Sequence, residues 1–310
     1  MKLFHVILLL IIINFSFFSI VFLKSHYLEE DIKLSIKEGD TYALVKEKLS
    51  RGGIIFPKSL DLFASFLGKD KSLVKGQYLI KKEYSLINIY DNLLNGKIHY
   101  RKFVIPEGSK SSDIFSSINL DEFCKKYLGR EDCDLEGVFS PNTYFYRFED
   151  DVEVVMLAAK NKQDLLLDKY WKTRSKDLLN YSKYDLLIIA SLIEKETCGN
   201  ERKKVSGVIL NRLKRNMFLQ IDSTVIYGVK NFDGNLRRVH LNTPTKYNSY
   251  LQKGLPPTPI SNPSEASLKA ASNPENHEYL YFVSKGYCTH EFSKNYEDHL
   301  KAVNKYQLKK

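Results

Sequence analysis

The sequence predicts an α+β protein: an apolar N-terminal helix, a small βααβ module and a larger mixed α+β domain. Three observations carry this expectation. Residues 6–23 (VILLLIIINFSFFSIVFL) hold no charge and lie between Lys2 and Lys24. Residues 32–81 alternate strand-like and helix-like patterns in a short stretch. Beyond about residue 181, amphipathic helices give way to a loop rich in Pro and Asn and then to a strand. The expected divisions are 1–24 for a stub and the apolar segment, 32–97 for the small module, 98–180 for a linking segment and 181–310 for the main domain. A chain of 310 residues has room for about two domains and an appendage.

Residues 6–23 approach the roughly 20 apolar residues that a bilayer-spanning helix needs. A cleaved signal would end a shorter apolar core at a small-x-small site, and FLKSHYLEED offers none. The expectation is therefore an uncleaved, single-pass transmembrane anchor. Lys2 and Lys24 nearly balance, so charge does not orient it; a large folded domain after a signal anchor places that domain outside the cytoplasm. Residues 32–36 (IKLSI) read as a strand. Asp40 or Thr41 caps the next helix, and Gly52-Gly53 ends it. A second helix follows Pro57, and 77–81 reads as a strand. Residues 103–108 then faintly echo Ile36 to Gly39, and SKSSDIFSSI follows as a helix. A short helix is expected at 123–127, and a loop-rich segment at 135–146, punctuated by Gly137 and Pro141. Residues 152–171 form an amphipathic helix with Val155, Leu157, Ala158, Leu165 and Leu166 as its core stripe.

The main domain opens on DLLIIASLIEKET (185–197), with Asp185 as cap. On a helix Leu187, Ala190 and Glu194 share one face, and Glu196 points elsewhere. A carboxylic acid among aliphatic side chains loses solvation of its charged form, which raises its pKa and keeps a proton for general-acid work. The same position also suits a helix-end acid paired with Lys203 or Arg212. Residues 205–213 form another amphipathic helix, and Gln220 to Thr224 open a segment reaching Gly228. From Leu241 a long loop carries Tyr247, Asn248 and Tyr250. Aromatic faces and amides suit a sugar-binding groove, and they equally suit loop packing. Residues 279–284 (YLYFVS) form a strand before a last helix, and His290 and His299 default to structural hydrogen bonding.

The net charge of +10 is dispersed rather than striped. It suits anionic lipid or an acidic cell-wall polymer. No zinc or helix-turn-helix signature accompanies it, so no nucleic acid is expected as a partner. Cys124, Cys133, Cys198 and Cys288 form no C-x-x-C pair and have no clustered His beside them. No metal site and no cofactor are expected. Cys124 and Cys133 lie close enough in sequence to bridge, which would fit an oxidising compartment. Four separate thiols fit as well.

The stretches IASLIEKET (189–197), ERKKVSGVILNRL (201–213), LQIDSTVIYG (219–228), YNSYLQKGLPPTPISNP (247–263), SLKAASNP (267–274), YLYFVSKG (279–286) and HEFSKNYEDHLKAV (290–303) resemble, in that order, the endolytic murein transglycosylase family of YceG-like (MltG) proteins. LEGVFSPNTY (135–144) matches a landmark further forward, and residues 32–97 resemble the family's LysM-like subdomain. The resemblance implies a lytic transglycosylase that cuts nascent peptidoglycan strands internally. The bond would be the β-1,4 link between N-acetylmuramic acid and N-acetylglucosamine, and the product would carry a 1,6-anhydromuramic end. It further implies anchoring in the cytoplasmic (inner) membrane, a catalytic domain on the periplasmic, extracytoplasmic side, and partners in the cell-wall synthesis machinery. It places the family's catalytic glutamate on Glu194, the first acid of EKET, and puts Glu196, Gln220, Asp222, Tyr227, Asn248 and Tyr250 in motifs expected to line the groove. The sequence departs from the family at Asn142, where Asp is usual, at Ser264-Glu265, where Gly follows Asn-Pro, and at Lys246, where Pro is common. A muramidase-type hydrolase would need a second carboxylate opposite the first, for which Asp222 is the candidate. A non-catalytic cell-wall-binding scaffold is the alternative from another class.

Overall fold

The structure, a computed structural model, describes residues 2–23, 28–54, 56–68, 73–129, 133–197 and 199–308. Its secondary structure is mixed, with helices throughout and three two-stranded sheets among the described residues. The chain divides into two compact units, residues 1–102 with 145–151, and residues 103–144 with 152–310.

The first unit begins with α1 (Lys2–Leu23). Along it the side chains from Val6 to Ile13 stay 45–60 % exposed, while Phe22 packs partly against the core of the unit. Among the described residues no helix is long and apolar enough to cross a membrane. The structure therefore does not support the expected span over 6–23. Strand β1 (Ile32–Ile36) pairs antiparallel with β2 (Gly76–Ile80), Ile32 opposite Ile80 and Ile36 opposite Gly76. Side chains alternate across a strand, so Leu34 and Ile36 enter the core from β1, as do Tyr78 and Ile80 from β2.

Between the strands lie α2 (Tyr42–Arg51) and α3 (Ser59–Phe66). The Thr41 hydroxyl accepts from the Leu44 N–H at 3.2 Å, which satisfies a helix-start donor. Val45 and Leu49 of α2, four apart, and Leu60 and Ala64 of α3, also four apart, face inward. The βααβ order is as the local patterns indicate. It is completed by α4 (Leu86–Leu94), which the sequence reading did not single out. Ser85 and Asn88 form a capping box there, and Leu86, Ile89, Tyr90, Leu93 and Leu94 are buried.

The boundary between the units falls within β3 (Arg101–Ile105) and β4 (Asn142–Tyr146), which pair. The expected loop over 135–146 thus ends in a strand, because Thr143, Tyr144, Phe145 and Tyr146 are strand-favouring residues once past Pro141. In the second unit α5 (Ser111–Ile114) and α6 (Leu120–Phe123) precede a disulfide between Cys124 and Cys133, whose Cα atoms lie 6.1 Å apart. Phe115, Phe123, Phe139 and Met156 form a small core beside it.

Helix α7 (Glu153–Lys172) buries Val155, Met156, Ala159, Gln163, Leu167 and Tyr170. Of the expected stripe, Val155 is buried and Leu157 and Leu166 pack partly against the cores, whereas Ala158 is exposed and Leu165 is 71 % exposed; Met156, Ala159 and Gln163 complete the buried face. Helix α8 (Lys183–Glu196) is capped by Ser182 rather than by Asp185, which instead closes the capping box from the third helical position. Every residue of α8 from Leu186 to Ile193 is buried. Around it come α9 (Arg202–Lys214), α10 (Asp222–Gly228), α11 (Arg238–Leu241) and α12 (Glu265–Ser272), with α9 and α12 in direct contact with α8. The chain ends in a hairpin, β5 (Tyr281–Gly286) with β6 (Thr289–Ser293), followed by α13 (Tyr296–Val303).

Candidate active site

The last turn of α8 places two carboxylates on different sides of one buried helix, as the spacing of Glu194 and Glu196 requires. They meet different surroundings. The Glu194 side chain is 4 % exposed. Its Oε2 accepts from the Ser264 backbone N–H at 2.8 Å and from the Ser264 hydroxyl, and its Oε1 lies 3.6 Å from the Arg202 guanidinium. Ser264 is the N-cap of α12, and its hydroxyl also accepts from the Ser267 N–H. Glu194 therefore binds the positive end of a helix and a guanidinium. The expected aliphatic surroundings do not enclose its carboxyl, and Arg202 is its partner rather than Lys203 or Arg212.

Glu196 lines an open cavity of about 630 Å³. Arg212, Gln220, Asp222 and Tyr250 line it too. The residue as a whole is only partly buried. Its carboxyl nonetheless lies among protein atoms, and that desolvation pushes it up to about 7. The Ser223 hydroxyl, which donates to Oε1 at 2.8 Å, works the other way; the neighbouring charge of Asp222 adds to the rise, and Lys195 opposes it. Asp222 is itself fixed by the Tyr250 hydroxyl, donating to its Oδ1 at 2.6 Å. Burial raises the Tyr250 phenol, and this bond to Asp222 raises it further.

Arg212 braces this lining through its hydrogen bonds. It is buried, and its guanidinium donates to the Leu280, Phe218 and Leu219 carbonyls and to Gln220 Oε1. Gln220 takes a left-handed conformation with φ of 50°, uncommon for a residue with a side chain. Its N–H donates to the Ser249 carbonyl, which holds that conformation in place. Tyr281, His290, Tyr296 and His299, from β5, β6 and α13, also line the cavity.

Four of the expected site residues, Glu196, Gln220, Asp222 and Tyr250, thus meet at one cavity, and three do not join them. Asn248 is fully buried; its amide donates to the Leu241 and Thr243 carbonyls and its oxygen accepts from the Tyr250 N–H, so it shapes the loop instead of facing a ligand. Tyr227 donates to Glu136 at 3.1 Å and packs edge-on against Tyr247. Glu194 holds α12. The sequence reading passed over Glu136, a buried acid whose Oε1 accepts from the Ser111 N–H and whose pKa burial raises. Its signal was an acid in the apolar landmark LEGVF. Arg212, Tyr281 and Tyr296 were missed as cavity residues too.

The model of the YceG-like family matches residues 34–305. An endolytic murein transglycosylase of Bacillus subtilis is 27 % identical over 89 % of this chain and 84 % of its own. One of Streptococcus pneumoniae is 34 % identical over 67 % of this chain, which spans 37 % of that longer protein. The crystal structure of a yceG-like protein from Listeria monocytogenes is 26 % identical, with a TM-score of 0.56 covering 88 % of this chain and 99 % of that one. A family match over nearly the whole described fold leaves one conclusion: this chain belongs to the YceG-like family.

Proposed function

We propose that this protein is a lytic transglycosylase acting on peptidoglycan, with Glu196 rather than Glu194 as the general acid and base. The observation that carries the residue assignment is the carboxyl raised to about 7 on the wall of a cavity open to a ligand. The names of the relatives support the activity. In this mechanism protonated Glu196 donates to the glycosidic oxygen of the β-1,4 bond as positive charge develops at C1 of the N-acetylmuramic residue. The resulting carboxylate then takes the proton from the C6 hydroxyl of the same sugar. That oxygen closes onto C1 and leaves a 1,6-anhydro end, with no water consumed. Asp222, held by Tyr250, stands in the same cavity, where its charge favours the cationic transition state.

The reading extends to the rest of the chain. Residues 32–97 serve as a LysM-like glycan-binding module. Residues 6–23, whose described side chains leave apolar surface open, tether the protein to the cytoplasmic membrane, with the enzyme on the extracytoplasmic side beside the wall-synthesis machinery. The Cys124–Cys133 disulfide fits that oxidising side.

Mass spectrometry of digests of purified glycan strands tests the core of this proposal. The wild type and Glu194→Gln are expected to leave internal fragments with 1,6-anhydromuramic ends, and Glu196→Gln none. Loss of cutting in a folded Glu194→Gln alone would return the role to Glu194. Reducing ends would mean a hydrolase that uses Asp222 as its base. Binding without any cutting would mean a scaffold.

A further inference from the structure

Glu136 is a buried acid for which the chemistry at Glu196 has no direct use. It is 6 % exposed, and no cation is among the groups that set its pKa: burial raises it, bonds from Ser111, Tyr227 and Gly137 lower it, and the Asp134 charge adds to the rise. A buried carboxyl without a counter-ion is costly unless hydrogen bonds hold it. Here they join two elements. Oε1 accepts from the Ser111 N–H at 3.1 Å, at the start of α5, and Oε2 accepts from the Tyr227 hydroxyl at 3.1 Å, in α10. The first end is fixed: Ser111 is buried, and its hydroxyl donates to the Leu135 carbonyl at 2.8 Å and accepts from the Asn262 amide at 3.0 Å.

The second end leads to the acid through α10. This helix has seven residues, and its N-cap, Ile221, supplies no side-chain bond. A helix so short is not stable by itself, so contacts with the rest of the chain decide where it lies. Thr224 and Val225 are buried and seat it. Ser223 and Tyr227 are four residues apart and share a face, one turn from each other. Each is tied to a glutamate: Ser223 donates to Glu196 Oε1 at 2.8 Å, and Tyr227 donates to Glu136. Asp222 begins the same helix, in the cavity lining. Tyr227 is itself closely held, with Tyr247 edge-on at 4.7 Å and the Lys110 ammonium 4.9 Å from its ring centroid.

We propose that Glu136 is a positioning residue for the reaction: through Tyr227 it fixes the rotation of α10, and with it the reach of Ser223 and Asp222 to the Glu196 carboxyl. This role rests on the reading of Glu196 as the acid. Neither Glu136 nor Tyr227 is among the residues lining the cavity, so their effect on the chemistry passes through the helix. At Glu196 the Ser223 bond outweighs the Asp222 charge. Release of the helix therefore acts on the acid as loss of the Ser223 hydroxyl does.

Profiles of kcat/KM against pH on purified glycan strands test it, using the full-length wild type, Glu136→Leu, Tyr227→Phe, Ser223→Ala and the double variant Tyr227→Phe with Ser223→Ala. Glu136→Leu and Tyr227→Phe are each expected to raise the midpoint by about half a pH unit and to lower kcat about tenfold, with KM little changed. The midpoint of the double variant is expected to match that of Ser223→Ala, because both changes act on one bond. Tyr227→Phe keeps the ring and carries the test if Glu136→Leu does not fold. Gly207→Ala, a packing loss on α9, is expected to lower the melting temperature and leave the midpoint in place. Variants that melt earlier but keep the wild-type midpoint, or shifts that add in the double variant, would overturn the positioning role. A shift in Ser223→Ala with none in Tyr227→Phe discards the role of Glu136 and keeps Glu196 as the acid. No shift in Ser223→Ala discards Glu196 as the titrating group, and this inference with it.

Discussion

A carboxyl that folding holds near pH 7 must also weaken the fold above that pH, and the Glu196→Gln substitution measures both effects on one side chain. The ordinary glutamate value is 4.5 and Glu196 is pushed up to about 7. The difference, 7 − 4.5, is about 2.5 pH units, or roughly 3 kcal/mol at about 1.36 kcal/mol per unit. Between the two values the folded chain keeps a proton that the unfolded chain has lost. Stability therefore falls as pH rises through this window, with no penalty below about 4.5 and the full penalty above about 7. A glutamine is neutral at every pH. Glu196→Gln should then be close to wild type in stability at acid pH and more stable by up to about 3 kcal/mol at pH 8. Glu136, also raised by burial, titrates in both proteins and cancels in the difference.

The assay is urea unfolding of both proteins at pH 5 and pH 8, set beside the pH profile of kcat/KM for the wild type. A general acid must carry its proton. At pH 7 about half of the Glu196 carboxyls would do so, against roughly one in 300 at the ordinary value. Activity should fall about tenfold for each pH unit beyond this midpoint. A stability difference that does not grow between pH 5 and pH 8, or a rate that stays flat across the same range, would refute the reasoning.

The neighbours of Glu196 should move that rate limb in opposite directions. Asp222→Asn removes a like charge and should shift it to lower pH, whereas Ser223→Ala removes a bond to the carboxylate and should shift it to higher pH; pH–rate profiles of the two variants check this. Glu194→Gln should lower stability by about 1–3 kcal/mol through the weakened bonds to Ser264 and Arg202, seen as a lower urea midpoint, while the chemistry of the products is unchanged. Gly207→Ala should destabilise by about 1–3 kcal/mol, because a Cβ there would sit 2.5 Å from the Glu275 carbonyl oxygen, and thermal melting reads the loss. Replacing Cys124 and Cys133 with Ala should cost about 2–3 kcal/mol by releasing a short closed loop, measured by denaturant unfolding under non-reducing conditions.

What could be read from the sequence was local. A cap at Asp40 or Thr41, the alternation over Ile32–Ile36 and the Gly52-Gly53 stop each act within a few residues, and they sufficed for the βααβ order. The active-site assignment needed distant partners. Spacing alone separates Glu194 from Glu196 on α8, yet it does not say which acid meets a cavity. Leu186 to Ile193 are buried all round, so the helix has no polar face to orient it. The deciding groups are Ser264, 70 residues from Glu194, and Ser223, 27 residues from Glu196, joined by walls from β5 and α13. The same division of labour underlies the proposal that takes Glu196 rather than Glu194 as the acid. Glu194 fastens the start of α12 to the end of α8, two residues before the carboxyl that the cavity desolvates. A shift of that anchor would move Glu196 relative to Asp222 and Ser223. Loss of Glu194 should therefore move the pH midpoint of activity as well as the stability, a coupled displacement that removal of a lone catalytic acid would not produce.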